Sequence, residues 1–256
     1  MALETGLTPA QQRQLADSER RALACARGVV VTSPSTARAL AADGVPAART
    51  SVVEPGTESA ARAIGGGAGA DALSLLCVAT LTPRKGHALL VQALAGLCDR
   101  PWVLHCAGSR SRDPAEAARV DALAAQSGLG ERIRWYGEVE APQLEALYAQ
   151  ADLFVLPSLH EGYGMALAEA LAHGLPVVST TAGAIVDTVP AEAGVLVAPN
   201  DVLALRKALR RMMDEPPWRA ALAAGAWRAA SRLPSWADAG LRFERALLQA
   251  MDAGPP

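Results

Sequence analysis

The sequence predicts an α/β fold in which a doubly wound parallel sheet is covered by helices on both faces. Short runs such as Leu73–Ala79, Trp102–Ala107 and Leu153–Leu156 are largely apolar and do not alternate between polar and apolar residues. Strands that are buried on both faces have this composition. Segments of helical length separate the runs, which is typical of βαβ units. Hydrophobic residues make up 51% of the 256 residues, enough for a sizeable core.

The N-terminal residues are predicted to alternate between helices and short strands. Thr8-Pro9 is a typical helix start, and Ser33-Pro34 both ends an apolar strand and begins a helix. The predicted elements are a helix over 8–26, a strand over 29–32, a helix over 34–42 and a strand over 50–54. The glycine run 65–69 is predicted to be a linker, because it lacks the preceding strand and the GxGxxG spacing of a phosphate-binding loop.

Strands and helices then alternate along the remaining sequence. The predicted strands are 73–79, 102–107, 133–137, 153–156, 176–180 and 195–197. The predicted helices are 84–97, 114–126, 142–149 and 165–172, with further helices from 201 onward that include 235–250. Ligands of a doubly wound sheet bind at the carboxyl ends of its strands. The functional site is therefore predicted in the turns after Ala79, Ala107, Tyr136, Leu156 and Thr180.

Composition and charge narrow the classes of function. The net charge of −2 comes from well-mixed signs, so nucleic acid is not expected as a partner. The four cysteines form no CxxC pair and have no histidine at zinc-ligand spacing, so we expect core cysteines and a reducing compartment. The N-terminus has no signal-peptide features, and no run approaches the ~20 apolar residues of a membrane span. A cytoplasmic location without a transmembrane segment is expected.

Two adjacent cations, Arg84 and Lys85, follow the predicted strand 73–79 and are predicted to open a helix. Cations in the first turn of a helix oppose its dipole, so an external anion is expected there. A diphosphate fits this position, because arginine offers a planar fork and lysine a point charge. A solvated surface pair is the alternative.

The segment from Glu161 to Glu169 follows the predicted strand 153–156. Its Gly162-Tyr163-Gly164 turn lets backbone N–H groups approach a ligand, although ordinary strand-to-helix corners also use such turns. Glu169 lies on a helix that is otherwise small or apolar, so we expect it to face a polar cavity where a ligand or donor group satisfies it. Cations suit a diphosphate and carboxylates accept hydrogen bonds from diols. A nucleotide-sugar contains both a diphosphate and diols.

The Glu-Gly-Tyr-Gly-x-Ala-x-x-Glu-Ala segment that begins at Glu161, with Pro83-Arg84-Lys85-Gly86 upstream, resembles the retaining GT-B glycosyltransferases of family 4, the group 1 type. The resemblance covers roughly Val52 to Val197. It implies the Rossmann-like, C-terminal donor-binding half of a GT-B fold. It further implies hexosyl transfer from a nucleotide-diphosphate sugar with retention, by front-face attack in which the donor phosphate takes the acceptor proton, and without a metal.

The resemblance also implies roles for individual residues. Glu161 would contact hydroxyls of the donor sugar, Glu169 would bind the ribose diol, and Arg84 with Lys85 would neutralise the departing diphosphate. The implied catalytic residues are Glu161, Lys85 and Arg84. The implied donor-binding residues are Gly162, Tyr163, Gly164, Met165, Glu169, Thr80, Gly108, Ser109, Tyr136 and Gly137.

Several positions depart from the family pattern. Many relatives have Gly-Arg where this chain has Ala79-Thr80, so Arg84 would have to substitute for a missing phosphate cation. His160 and His87 are expected to be solvated or close to the donor, without a catalytic role. The acceptor is left open by the sequence.

The resemblance predicts three segments. Residues 1–47 would be a remnant of the N-terminal acceptor domain with the linker, 48–232 the donor-binding domain, and 233–256 a helix that crosses back to the first domain. We therefore expect a chain that lacks most of one domain, as a fragment, a misplaced start or half of a split enzyme. Association through the apolar surface left by the missing domain is expected.

Two other functions remain open. A non-catalytic nucleotide-sugar-binding module, or half of a split enzyme, would hold the donor without turnover by this chain alone. A nucleotide-sugar epimerase of similar fold fits less well, because such epimerases lack the spacing between Glu161 and Glu169.

Overall fold

The computed structural model describes residues 7–67, 69 and 72–252. It divides into two compact units, residues 1–57 with 234–256 and residues 58–233. The division falls later in the chain than the boundary predicted after residue 47. The strand predicted over 50–54 consequently lies in the first unit.

The strands, in chain order, are β1 Val29–Val31, β2 Thr50–Val52, β3 Leu73–Val78, β4 Trp102–Ala107, β5 Ile133–Gly137, β6 Leu153–Leu156, β7 Val177–Thr180 and β8 Gly194–Val197. The helices are α1 Pro9–Cys25, α2 Pro34–Ala42, α3 His87–Ala95, α4 Pro114–Gln126, α5 Ala141–Gln150, α6 Met165–Ala172, α7 Ile185–Thr188, α8 Val202–Asp214, α9 Pro216–Ala230 and α10 Trp236–Asp252. The short helix α7 was not predicted from the sequence.

The smaller unit contains β1 and β2, which pair in parallel, with α1, α2 and α10. Helix α10 packs through small residues, since Ala239 and Ala246 are buried and Gly28 lies against Ala250. The predicted apolar side of this helix is exposed. Its side chains Trp236, Leu241, Phe243, Leu247 and Leu248 are 46% to 54% exposed. Association through them stays a prediction.

The larger unit is built on a six-stranded, wholly parallel sheet in the order β5-β4-β3-β6-β7-β8. Buried apolar residues such as Leu75, Phe154 and Val178 fill its strands. The doubly wound α/β fold predicted from the sequence is confirmed. The chain winds from β3 outward through β4 and β5, then returns to place β6 on the other side of β3. Such a reversal leaves a crevice at the carboxyl ends of the two central strands.

The start of α3 differs from the prediction. Residues Pro83–Lys85 form a 3-10 turn, and Gly86 has φ of +72°, so the α-helix begins only at His87. Arg84 and Lys85 therefore lie before the helix and not in its first turn, because a left-handed glycine separates them from it. His87 is buried, with Nε2 3.7 Å from the sulfur of Cys77, so it is not solvated. The other expected position for His87, close to the donor, stays a prediction.

Two further expectations can be compared with the structure. Cys77 and Cys106 are buried as predicted, whereas Cys25 and Cys98 are exposed. In the predicted glycine linker, Gly65 N donates to Ala149 O, while residue 68 lies outside the described residues. No helix within the described part of the chain is long and apolar enough to span a membrane.

Candidate functional site

Arg84, Lys85 and the Glu161–Gly164 segment lie at the crevice between β3 and β6. The turn Pro83–Gly86 follows β3, and the loop 157–164 follows β6. Leu159 N donates to Arg84 O at 2.7 Å, which joins the two segments. A Cβ on Gly86 would collide with the carbonyl of Pro157, so the close approach requires glycine there.

Glu161 is the centre of a compact ion cluster. Its Oε1 accepts hydrogen bonds from Lys85 Nζ and from the hydroxyl of Ser158, each at 2.6 Å. Nη1 of Arg84 lies 3.6 Å from Oε2. The Glu161 side chain is 7% exposed, so these donors are needed to offset the loss of water around the carboxylate.

Backbone contacts fix the position of this cluster. Arg84 Nη1 donates to His160 O at 2.6 Å, and Ala184 N donates to Glu161 O at 2.8 Å. The hydroxyl of Thr180 donates to Ser158 O at 2.5 Å. Partial burial, and then the charge of Arg84, lower the pKa of His160, so its ring is neutral at pH 7.

An anion near Arg84 and Lys85 was expected from the sequence. The structure provides one inside the protein, because Glu161 pairs with both cations. The cluster nevertheless contains two cations and one carboxylate. The cluster therefore has one net positive charge at the carboxyl ends of β3 and β6. A phosphate would be attracted to this charge.

The amino terminus of α6 lies next to this cluster. Gly164 precedes the helix with φ of +93°, a left-handed conformation, and no side chain caps the helix. The first N–H groups of a helix have no partner within it and lie at the positive end of its dipole. Tyr163 is buried, and its carbonyl accepts from the Thr188 hydroxyl at 2.7 Å. Gly162 is exposed and Met165 is the first residue of α6.

A second group of predicted residues forms a rim at the ends of β3, β4 and β5. Gly108 N donates to Gly137 O at 2.7 Å, and Leu81 N donates to Ser109 O at 2.8 Å. A Cβ on Gly108 would collide with the carbonyl of Ala79, beside Thr80. Backbone hydrogen bonds thus connect the three strand ends.

Tyr136 belongs to this rim but turns its hydroxyl toward the sheet. The hydroxyl and His105 Nδ1 lie 2.8 Å apart, and the two rings stack with centroids 5.8 Å apart. Burial, and then the charge of Arg134, lower the pKa of His105. The neighbouring Trp135 lies under the guanidinium of Arg110, 4.9 Å from its ring centroid.

Glu169 lies on α6 and has a different environment from Glu161. Its Oε2 accepts from the hydroxyl of Tyr148 at 2.8 Å. Burial raises the pKa of Glu169, and the Tyr148 hydrogen bond opposes that rise. The sequence argument expected a donor group or ligand for this carboxylate, and Tyr148 is such a donor.

Sequence reasoning missed Ser158 and Tyr148. A serine in the loop after a strand and a tyrosine on a helix are both common in structural roles, so neither residue type gave a signal. The position of Ser158, three residues before Glu161, was the one available hint. Among the described residues, no three His, Cys, Asp or Glu side chains are grouped so that they could hold a metal ion.

The chain belongs to the family "Glycosyl transferases group 1", whose model matches residues 67–228. This confirms the family predicted from the two motifs. Over 172 residues it is 36% identical to a D-inositol 3-phosphate glycosyltransferase of Xylanimonas cellulosilytica, covering 67% of this chain and 41% of that protein. It is 30% identical over 223 residues to a 2-deoxystreptamine glucosyltransferase of Streptomyces kanamyceticus, covering 81% and 57%.

Solved structures of similar fold include a sucrose-phosphate synthase from Thermosynechococcus elongatus. Its TM-score is 0.85 at 29% identity, with 98% of this chain and 65% of that chain covered. Anabaena Alr3699/HepE in complex with UDP and glucose has a TM-score of 0.81 at 20% identity, with 94% and 68% covered. The chain spans 34% to 50% of the length of the first three curated relatives it matches.

Proposed function

We propose that this chain binds a nucleotide-diphosphate sugar and supplies the donor side of hexosyl transfer with retention of configuration. The observation that supports this most directly is the cluster of Lys85, Arg84 and Glu161 at the crevice between β3 and β6. It combines surplus positive charge with a carboxylate that can accept hydrogen bonds from hydroxyl groups. A diphosphate linked to a sugar offers negative charge to the two cations and hydroxyl donors to the carboxylate.

Each part of the cluster has a distinct role in this proposal. Lys85 and Arg84 neutralise the diphosphate, together with N–H groups at the start of α6 near Gly164. Glu161 accepts hydrogen bonds from sugar hydroxyls. The bond between the anomeric carbon and the diphosphate breaks, the acceptor oxygen bonds to the same face of that carbon, and the acceptor proton passes to the departing phosphate.

The nucleoside end is assigned to the other residues. Glu169 accepts from the ribose diol, and the rim of Gly108, Ser109, Tyr136 and Gly137 lies against the base. The Anabaena neighbour was solved with UDP and glucose, so uridine diphosphosugars are the first donors to test. We propose that no metal takes part, because the resembling enzymes need none, and chelation by EDTA should then leave donor binding unchanged.

Calorimetry with uridine, guanosine and adenosine diphosphosugars tests the proposal. We expect the diphosphosugar of one of the three bases to bind measurably. It should bind more tightly than the corresponding nucleoside diphosphate without the sugar. Binding by none of them would overturn the proposal.

Incubating the bound donor with candidate acceptors, and determining the anomer of any product by NMR, tests retention. Binding without turnover would favour the alternative of a nucleotide-sugar-binding module or half of a split enzyme. The cytoplasmic location is likewise a proposal, to be tested by cell fractionation.

A further inference from the structure

Tyr148 is the only described residue that donates a hydrogen bond to Glu169. The distance from its hydroxyl to Glu169 Oε2 is 2.8 Å, and the hydroxyl also lies 3.3 Å from Ala166 O. Tyr148 is 2% exposed, whereas Glu169 is only partly buried. The donor is therefore inside the protein while the carboxylate reaches the surface.

The ring of Tyr148 is held by two aromatic neighbours. It stacks on His173 with centroids 4.8 Å apart and planes 6° apart, and on Phe154 at 6.0 Å and 19°. His173 is itself fixed, since its Nδ1 lies 3.1 Å from Ala61 O and its Nε2 lies 3.3 Å from Glu145. A clamped ring of this kind gives its hydroxyl one direction, so the flexible glutamate adapts to the tyrosine.

We infer that Tyr148 is a positioning residue that holds Oε2 of Glu169 and thereby presents Oε1 to the ribose hydroxyls of the nucleotide. The inference rests on the proposed function. It adds that the preference for ribonucleotides over 2′-deoxyribonucleotides depends on a phenol that touches no part of the ligand. Without the phenol the carboxylate is free to rotate and, being partly buried, is more easily protonated.

The test compares Tyr148→Phe with the unaltered chain by calorimetry with UDP and 2′-deoxy-UDP. Phenylalanine keeps the stacking on His173 and Phe154 and removes only the hydroxyl. We expect the preference for UDP to fall about 3- to 10-fold, the effect of one typical hydrogen bond, while 2′-deoxy-UDP affinity changes little. As the pH falls, the variant should lose this preference at a higher pH than the unaltered chain does, because Glu169 without the phenol is more easily protonated. A purely structural role of Tyr148 would not cause that shift.

Ser179→Ala is the matched control, because it removes a buried hydroxyl that donates to Leu156 O and leaves Glu169 untouched. Its preference for UDP should equal that of the unaltered chain. An unchanged preference in Tyr148→Phe, with UDP still bound, overturns the inference and leaves the proposed function standing. Failure of the unaltered chain to bind any diphosphonucleotide overturns the proposed function itself.

A measurement on the unaltered chain does not depend on the variant folding. As a carboxylate, Glu169 can only accept hydrogen bonds, so the ribose must donate. We therefore expect 2′-fluoro-2′-deoxy-UDP, which cannot donate at that position, to bind as weakly as 2′-deoxy-UDP. Binding as tight as that of UDP would contradict the inference.

Discussion

Lys85 Nζ lies 2.6 Å from Glu161 Oε1 although 76 positions separate the two residues in the chain. One residue follows β3 and the other follows β6, and these strands are neighbours in the sheet. Any ligand that binds Lys85 therefore also changes the environment of Glu161. Predictions about one of the two residues have to consider the other.

Lys85→Ala should weaken the binding of UDP far more than that of uridine, because it removes the charge proposed to face the diphosphate. The loss for UDP should be about 1.5–3 kcal/mol, the range for hydrogen bonds to charged groups. Calorimetry with both ligands measures the difference. Lys207→Ala is the control, since Lys207 is exposed on α8 and should change neither affinity. Equal losses for UDP and uridine would remove Lys85 from the phosphate site.

Ser158→Ala should destabilise the fold as well as the site. The hydroxyl is one of two donors to the buried Oε1 of Glu161, so its loss should lower the free energy of unfolding by about 1–3 kcal/mol. Urea denaturation measures this value. Ser231→Ala removes an exposed hydroxyl and should have almost no effect. If the two variants were equally stable, Ser158 would not be supporting the carboxylate.

Gly86→Ala should cost more than Gly128→Ala. Both glycines are left-handed, with φ of +72° and +67°, so both substitutions carry the same backbone strain of about 1–2 kcal/mol. A Cβ at Gly86 also meets the carbonyl of Pro157, whereas nothing lies within 4 Å of one at Gly128. The difference in unfolding free energy between the two variants therefore measures the cost of the collision with the Pro157 carbonyl. A difference of zero would mean that the turn after β3 can move away from the loop after β6.

Glu169→Ala should weaken UDP binding by about 1–3 kcal/mol, the worth of one or two hydrogen bonds. Glu131→Ala, which changes an exposed carboxylate on the same unit, serves as the control. Because the proposed partner is the ribose, affinity for 2′-deoxy-UDP should fall less. An unchanged UDP affinity would exclude the ribose role.

The pH dependence of UDP binding and of stability should have opposite signs at Glu169. Burial raises its pKa above the ordinary value of 4.5, so the folded chain binds more protons than the unfolded chain between 4.5 and the raised value. Across that window the contribution of Glu169 to unfolding free energy increases as the pH falls. UDP affinity should decrease as the pH falls across the same window, because a protonated carboxyl group accepts hydrogen bonds from the ribose less well than a carboxylate does. Calorimetry and urea titrations between pH 7 and 4.5 check both trends, and Glu169→Gln should flatten them.

The strands of the larger unit could be predicted because runs such as Leu153–Leu156 are apolar throughout, as strands buried on both faces of a sheet are. Arg84, Lys85 and Glu161 were predicted as site residues from charge placed at strand ends. Their mutual pairing could not be predicted, since it depends on β6 returning to lie beside β3. The burial of His87 could not be predicted, because a histidine that follows a turn gives no local sign of being buried. Tyr148 and Ser158 act through contacts between segments distant in sequence or within a loop, and these become visible only in the folded chain.

The hydrogen bond from Leu159 to the carbonyl of Arg84 connects the two segments of the crevice without the help of a ligand. A nucleotide bound there, as proposed, would meet two segments that are already joined, and less conformational entropy would be lost on binding. We expect differences in affinity between related nucleotides at this crevice to arise mainly from their dissociation rates.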